Sequence, residues 1–355
     1  MKKKILYAVA GEGRGHAGRA LAIAEQMEKD VDFYFICGGK AYQLFAATKH
    51  NVFEIPFLGF IYEHDSISLL KTLLFNLKLF FNRNKIYKQI NEHINKIKPD
   101  FIMSDFEYFV PRATKKLGIP VIQISHQHIL VACKYKVPFS QMIDFIKAYI
   151  VTKFILIKSE YEFAISFYKL PLTGKYAKKN LPIFPPLLRK EVVTAKPSVG
   201  EKVLVYFSCD TFAWVMKILK EIKNESFVVY GIRNKHEIDS NIEYKPISPT
   251  TFLDDLKISK CVITNGGHGL VSEAVYLKKP VLAFYVKGQF EQYLNAFYLD
   301  KLHFGKMIKS DKNALAELKE FFSELPELTQ QICNSDIYGN DLVCNHIKSI
   351  ISEEI

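Results

Sequence analysis

The run Cys261-Val262-Ile263-Thr264-Asn265-Gly266-Gly267-His268-Gly269 passes from β-branched residues through a glycine pair into a helix-like stretch, Leu270 to Leu277. Glycines at a strand-to-helix junction let backbone approach a phosphate, and the helix N-terminus beyond them offers N–H groups and a favourable dipole. Alone, the same glycines fit a tight turn equally well. Three further residues narrow the reading: Glu273, one turn into the helix, and Gln292 and Asn295, at i, i+3 spacing after the next strand-like run. A carboxylate can accept from both hydroxyls of a ribose, and side-chain amides both donate to and accept from sugar hydroxyls.

Moving outward, strand-like runs alternate with helix-length amphipathic stretches, the pattern of parallel sheets covered by helices. Ile5–Ala10, Val31–Cys37, Phe101–Ser104 and Val121–Ser125 read as strands in the first half. Lys202–Ser208, Ser226–Tyr230, Cys261–Thr264 and Pro280–Tyr285 restart the pattern in the second. Between them, Leu181 to Gly200 carries Pro182, Pro185, Pro186, Pro197 and Gly200, a density of breakers that neither helix nor central strand tolerates. The expectation is an α/β chain with a Rossmann-like domain over residues 1–188, a linker over 189–200, a second Rossmann-like domain over 201–335, and a terminal helix over 336–355 that packs back on the first domain. Two such doubly wound sheets imply a central cleft between the domains, because ligands sit beyond the carboxyl ends of parallel strands.

With these motifs in place, the chain resembles the GT-B glycosyltransferases, both the UDP-glycosyltransferase group and the bacterial enzyme that adds N-acetylglucosamine to form lipid II. Thr264-Asn265-Gly266-Gly267-His268-Gly269, Ser272-Glu273-Ala274, Lys279-Pro280 and Glu291-Gln292-Tyr293-Leu294-Asn295-Ala296 carry the resemblance in order and spacing. It implies that Glu273 holds the ribose, that Gln292 touches the donor sugar, and that the Gly266–Gly269 loop, His268 included, faces the diphosphate. Phe252 and Leu253 resemble the family segment whose backbone reads the uracil edge; core packing of their side chains is an equal reading. Ser208-Cys209-Asp210-Thr211 stands where the family brings small residues against the phosphates.

After the first strand comes Gly11-Glu12-Gly13-Arg14-Gly15-His16-Ala17-Gly18-Arg19. It satisfies a G-x-G-x-x-G search, but the next strand ends Cys37-Gly38-Gly39, without the acid a dinucleotide site uses on its ribose. The segment instead resembles the first loop of GT-B transferases, in which a histidine points into the cleft. Imidazole suits a general base at neutral pH, and a carboxylate on its other nitrogen fixes the tautomer and stabilises the cation. His16 is therefore the expected base and Asp105 its partner, with Glu107 the alternative. Gly15, Arg19, His126 and His128 are expected to contact the acceptor, core or capping roles being as good a reading for the last two. Asp30 and Asp32 have the D-x-D spacing of some metal sites, but they stand at the start of the strand that runs to Cys37, at the end of the sheet away from its ligands. No metal and no cofactor are expected, the UDP-sugar being a substrate.

Composition bounds the rest. Residues 1–199 hold 30 Lys and Arg against 16 Asp and Glu, and residues 200–355 hold 18 against 21, so the formal excess of +11 lies wholly in the first half. Ser68 to Phe81, leading into Arg83, Lys85 and Lys88, is apolar and basic; it fits either a helix on an anionic bilayer surface or a core helix. Lys134 to Lys158 repeats the mixture. The six cysteines have no metal-type pairing and read as free thiols. With no run long enough to span a bilayer and no signal peptide, the chain is expected in the cytoplasm, touching the inner membrane face. No nucleic-acid-reading motif accompanies the basic excess, so no nucleic-acid partner is expected. The resemblance implies inverting transfer of a hexose-type sugar from a UDP-sugar to a hydroxyl, on a lipid-linked or cell-envelope acceptor. Two rivals are a UDP-sugar hydrolase of the pseudaminic-acid pathway type, whose opening loop is alike, and a noncatalytic membrane-associated transferase subunit.

Overall fold

The computed structural model describes the chain apart from residues 1, 60, 64–65, 209–211, 233–235, 310 and 354–355. The sequence reading at Cys209, Asp210 and Thr211 therefore lies outside the described residues.

Two compact units divide the chain. The first holds residues 1–63, 67–189 and 338–355, and the second holds 64–66 and 190–337. In the first, strands β1 (Lys3–Val9), β2 (Val31–Cys37), β3 (Asn51–Glu54), β6 (Phe101–Asp105), β7 (Val121–Ser125), β8 (Tyr161–Ile165) and β9 (Ile183–Phe184) form one parallel sheet in the order β3-β2-β1-β6-β7-β8-β9. Tyr62–Glu63 (β4) and Ser66–Ile67 (β5) make a separate two-stranded ribbon. The central strands are apolar on both faces because helices cover both, the signature of a buried parallel sheet. One face buries Tyr7, Phe35, Phe45 and Phe163 with Ala17, Ala20 and Ala24 of the helix Arg14–Met27. The other buries Leu6, Ile36 and Ile102 against Ile86, Ile90, Ile94 and Ile97, one stripe of the helix Arg83–Ile97.

In the second unit, β10 (Lys202–Tyr206), β11 (Ser226–Tyr230), β12 (Glu237–Asp239), β13 (Ile242–Tyr244), β14 (Cys261–Thr264), β15 (Val281–Ala283) and β16 (Gly305–Met307) are ordered β12-β13-β11-β10-β14-β15-β16. Among the described strands of this unit, only the edge hairpin β12–β13 is antiparallel. Each sheet thus has a topological switch point, between β1 and β6 in one and between β10 and β14 in the other, and ligands of open α/β sheets gather at such crevices.

The proline-rich segment differs from expectation in one respect, since it holds a short helix, Lys190–Thr194, placed after the last of its clustered prolines. Its two-residue strand β9 lies at the sheet edge, where Pro182 and Phe184 need only accept bonds, from the N–H groups of Ala164 and Ser166. The terminal helix Asn340–Glu353 sets Val343, Cys344, Ile347, Ile350 and Ile351 into the first unit's core. Buried Asn340 pins its start: its Oδ1 accepts from Leu188 N at 2.9 Å and its Nδ2 donates to Leu188 O at 2.8 Å. The five described cysteines, Cys37, Cys133, Cys261, Cys333 and Cys344, are free thiols.

Candidate active site

In the first unit the site grows from the β1–β6 switch point. Strand register pairs Val9 with Asp105, so the last residue of β6 lies beside the end of β1. The chain leaving β1 enters its helix at Arg14, earlier than a long glycine loop would allow, so Gly15, His16 and Arg19 belong to the first helical turns. Residues three apart share a helix face, and His16 and Arg19 both reach back to Asp105. His16 Nδ1 stands 2.9 Å from Asp105 Oδ1. With Nδ1–H donating to the carboxylate, the basic lone pair is on Nε2. Phe106 stacks on the imidazole at 6.2 Å between centroids.

Asp105 is fully buried, and its surroundings settle its charge. Burial alone would raise the carboxyl, but the charges and hydrogen bonds of Arg19 and His16 outweigh it and hold it below the ordinary aspartate range. Glu107, the alternative partner, turns elsewhere. Phe106 has φ +55°, a left-handed step that redirects the chain, and Glu107 caps the next helix by accepting from Phe109 N at 2.8 Å and Val110 N at 2.7 Å. Burial pushes the Glu107 carboxyl up to about 7 against the pull of those N–H groups.

Three of the expected cleft residues have partners within the protein. Arg19 is 7% exposed and grips Asp105. His126 is buried with Nδ1 at 2.8 Å from Ile165 O, and His128 is buried with Nδ1 at 2.7 Å from Ser125 Oγ, so both stitch strand ends together. Burial depresses His128 to about 4, which leaves it neutral. Gly15 meets open space on its Cβ side, and Gly18 meets Arg189 Cδ at 3.4 Å. Asp30 is paired with Lys348 at 2.7 Å.

The second unit carries the glycine segment at its own switch point, after β14. Gly266 has φ +76°, and Gly267 is the extended N-cap of the helix His268–Tyr276, which begins two residues earlier than the sequence suggests. The first bond of the helical ladder runs from Val271 N to Gly267 O, so the amides of Gly269 and Leu270 precede it. A Cβ on Gly267 would meet nothing within 4 Å, which leaves the backbone approachable. Glu273 is half-buried, and His268 is buried with its carbonyl accepting from Ser272 Oγ. Asn265 Nδ2 donates to Ser208 Oγ at 3.1 Å and so ties the loop to the chain leaving β10.

Asn295 is fully buried and donates to Gly266 O at 3.1 Å, so it braces the glycine turn expected to face the donor. Half-buried Gln292 accepts from Val286 N at 3.1 Å through Oε1, which leaves Nε2 as the end available to a ligand. Phe252 packs edge-on against Tyr206 and Tyr230, the core alternative for its ring, and Leu253 is half-buried. Sequence reasoning missed Phe106; its one signal was its place between two candidate carboxylates.

A third feature lies on the first unit. No described residue of the helix Leu69–Phe81 is fully buried; Leu79 packs, partly buried, against the first unit's core, while Leu70, Leu74, Phe75, Leu77 and Phe81 are exposed, Phe81 at 81%. The helix Met142–Ile155 exposes Ile143, Ile146, Ile150 and Phe154, and the two elements meet where Phe80 and Phe154 touch edge-to-face at 5.7 Å. Exposed Lys71, Lys78, Arg83, Lys85, Lys136 and Lys153 accompany them. Among the described residues no helix is long and apolar enough to cross a membrane.

Two Rossmann-like units, each with its distinctive loop at a switch point, define the GT-B fold. Over residues 3–326 the chain matches glycosyl transferase family 1, and it belongs to that family. Relatives include an uncharacterized glycosyltransferase of Methanosarcina mazei, 26% identical over 90% of this chain and 91% of that one. Another, from Methanosarcina acetivorans, is 26% identical over 86% and 85%. In fold, the chain is similar to the glycotransferase of kitacinnamycin, with a TM-score of 0.67, 14% identity and coverage of 98% and 99%. MurG of Acinetobacter baumannii gives a TM-score of 0.61, 13% identity and coverage of 98% and 100%.

Proposed function

We propose that this glycosyltransferase moves a hexose-type sugar from a UDP-sugar to a hydroxyl acceptor in a single inverting displacement, with His16 as general base. The acceptor O–H gives its proton to His16 Nε2 while its oxygen forms a bond to the anomeric carbon. The bond from that carbon to the phosphate oxygen breaks, and UDP leaves with the electron pair. Attack from the face opposite the leaving group inverts the centre. The observation carrying this reading is the 2.9 Å contact between His16 Nδ1 and buried, ionised Asp105, which leaves Nε2 basic and ready to become a stabilised imidazolium. The donor role of the second unit is supported by the helix N-terminus at Gly267–Leu270, by half-buried Glu273 for the ribose, and by Gln292 Nε2 for the sugar.

A thermal-shift screen across nucleotide sugars identifies the donor, since ligand at 100 times its dissociation constant adds about 2.7 kcal/mol. His16→Ala is expected to lower transfer roughly 10²- to 10⁴-fold while UDP still stabilises the fold. Unchanged turnover would sink the base assignment. Inclusion of a lipid-linked acceptor within this reading is supported by the apolar, basic face of Leu69–Phe81 and Met142–Ile155, which suits an anionic bilayer surface.

A further inference from the structure

Arg19 is placed as if it served the reaction through Asp105. Its Nε donates to Oδ2 at 2.5 Å and its Nη2 donates to Oδ1, so the guanidinium grips both carboxylate oxygens as a fork. Oδ1 is the same oxygen that faces His16 Nδ1, and Nη2 stands 2.6 Å from Nδ1. All three groups come from two elements: the first turns of Arg14–Met27 and the end of β6.

We propose that Arg19 is the positioning residue of the catalytic pair, keeping buried Asp105 ionised and turning Oδ1 toward His16 Nδ1; this rests on His16 acting as the base. A carboxylate with no exposed surface is costly unless paired and hydrogen-bonded, and a planar fork fixes the carboxylate plane where a point charge would not. Other titratable groups near the pair do not substitute for the guanidinium. Tyr7, from β1, is buried and held well above the ordinary phenol range, so it stays neutral; burial also keeps His128, from the helix His128–Ala132, uncharged near pH 7. Cys344, from the terminal helix, is a thiol that burial raises to about 12.

Without the guanidinium, the buried carboxylate loses its charge partner and its fixed plane, so its hold on His16 Nδ1–H weakens. Arg19→Lys keeps the charge and loses the fork. Arg19→Gln loses both.

The test is histidine-selective ¹⁵N NMR on the full chain, with the His16 ring signals assigned by their disappearance in His16→Ala, and needs no substrate. In wild type the ring signals are expected to report the Nδ1–H tautomer; in Arg19→Gln they are expected to move toward a mixture of the two tautomers, with a smaller change in Arg19→Lys. In an Asp105→Asn background, Arg19→Gln is expected to leave the tautomer balance nearly unchanged, because Arg19 acts through Asp105. A tautomer balance unchanged in folded Arg19→Gln, or the same shift with and without Asp105, overturns the proposal. Should the shift appear while His16→Ala retains full transfer, the general-base reading fails and the placement of Asp105 by Arg19 stands.

Discussion

Asp105 and Glu107 stand two residues apart and have opposite chemistry. One is buried with a guanidinium and an imidazole bonded to it, the other with backbone N–H groups bonded to its carboxylate. Glu107 therefore makes a signed prediction. Its folded value, about 7, lies above the ordinary 4.5, so its contribution to stability is full below the unfolded value and is lost as pH rises through 7. Glu107→Gln does not titrate, and its stability relative to wild type should improve by roughly 1 to 3 kcal/mol from about pH 5 to about pH 8. Parallel urea titrations of the two proteins check this; a constant difference across that range would refute it. Asp105 carries the opposite sign, because a depressed carboxylate supports the fold above its unfolded value and loses that support as pH falls through the folded one. Asp105→Asn should cut transfer at least tenfold while UDP still raises the melting temperature.

At the scale of single elements, the glycine turn before His268–Tyr276 and the start of Asn340–Glu353 are each held by one asparagine. Gly266 has φ +76°, and a Cβ there would lie 3.1 Å from Gln292 O. Gly266→Ala should cost about 1 to 2 kcal/mol of stability and weaken UDP binding in calorimetry, because the turn that aims the helix N-terminus is strained. Asn340→Ala leaves both polar groups of Leu188 unanswered in a buried place, for an expected loss of about 2 to 3 kcal/mol in chemical denaturation. Several elements were not legible locally. β16 and the β12–β13 hairpin have three residues per strand, and β9 has two between prolines. Runs that short show no period; they are strands because a neighbouring strand supplies partners. Strands Val31–Cys37, Val121–Ser125 and Cys261–Thr264, by contrast, begin and end where the β-branched and aromatic runs do.

Over the whole molecule, basic excess and exposed apolar surface fall in the same unit. The excess is confined to residues 1–199, and the helices Leu69–Phe81 and Met142–Ile155 present exposed leucine, isoleucine and phenylalanine beside lysines. Replacing Phe81 and Ile150 together by Glu should reduce co-flotation with phosphatidylglycerol vesicles by about tenfold or more and leave UDP binding unchanged. Equal flotation of variant and wild type would argue against this face as the docking surface.

The sequence alone determined the α/β alternation, the restart of the pattern in the second half, and the family, because periodicity and the Gly266-to-Ala296 motif are local and survive without coordinates. It also brought His16, Asp105 and Glu107 forward as chemistry. Tertiary packing then gave them different partners. The Val9–Asp105 register and the left-handed step at Phe106 are set by strand pairing and chain direction, which no local pattern encodes. The same long-range packing assigned Arg19 to Asp105, buried His126, His128 and Asn295 as braces, and left Leu70, Leu74, Phe75, Leu77 and Phe81 exposed, since burial depends on which distant elements arrive beside a residue.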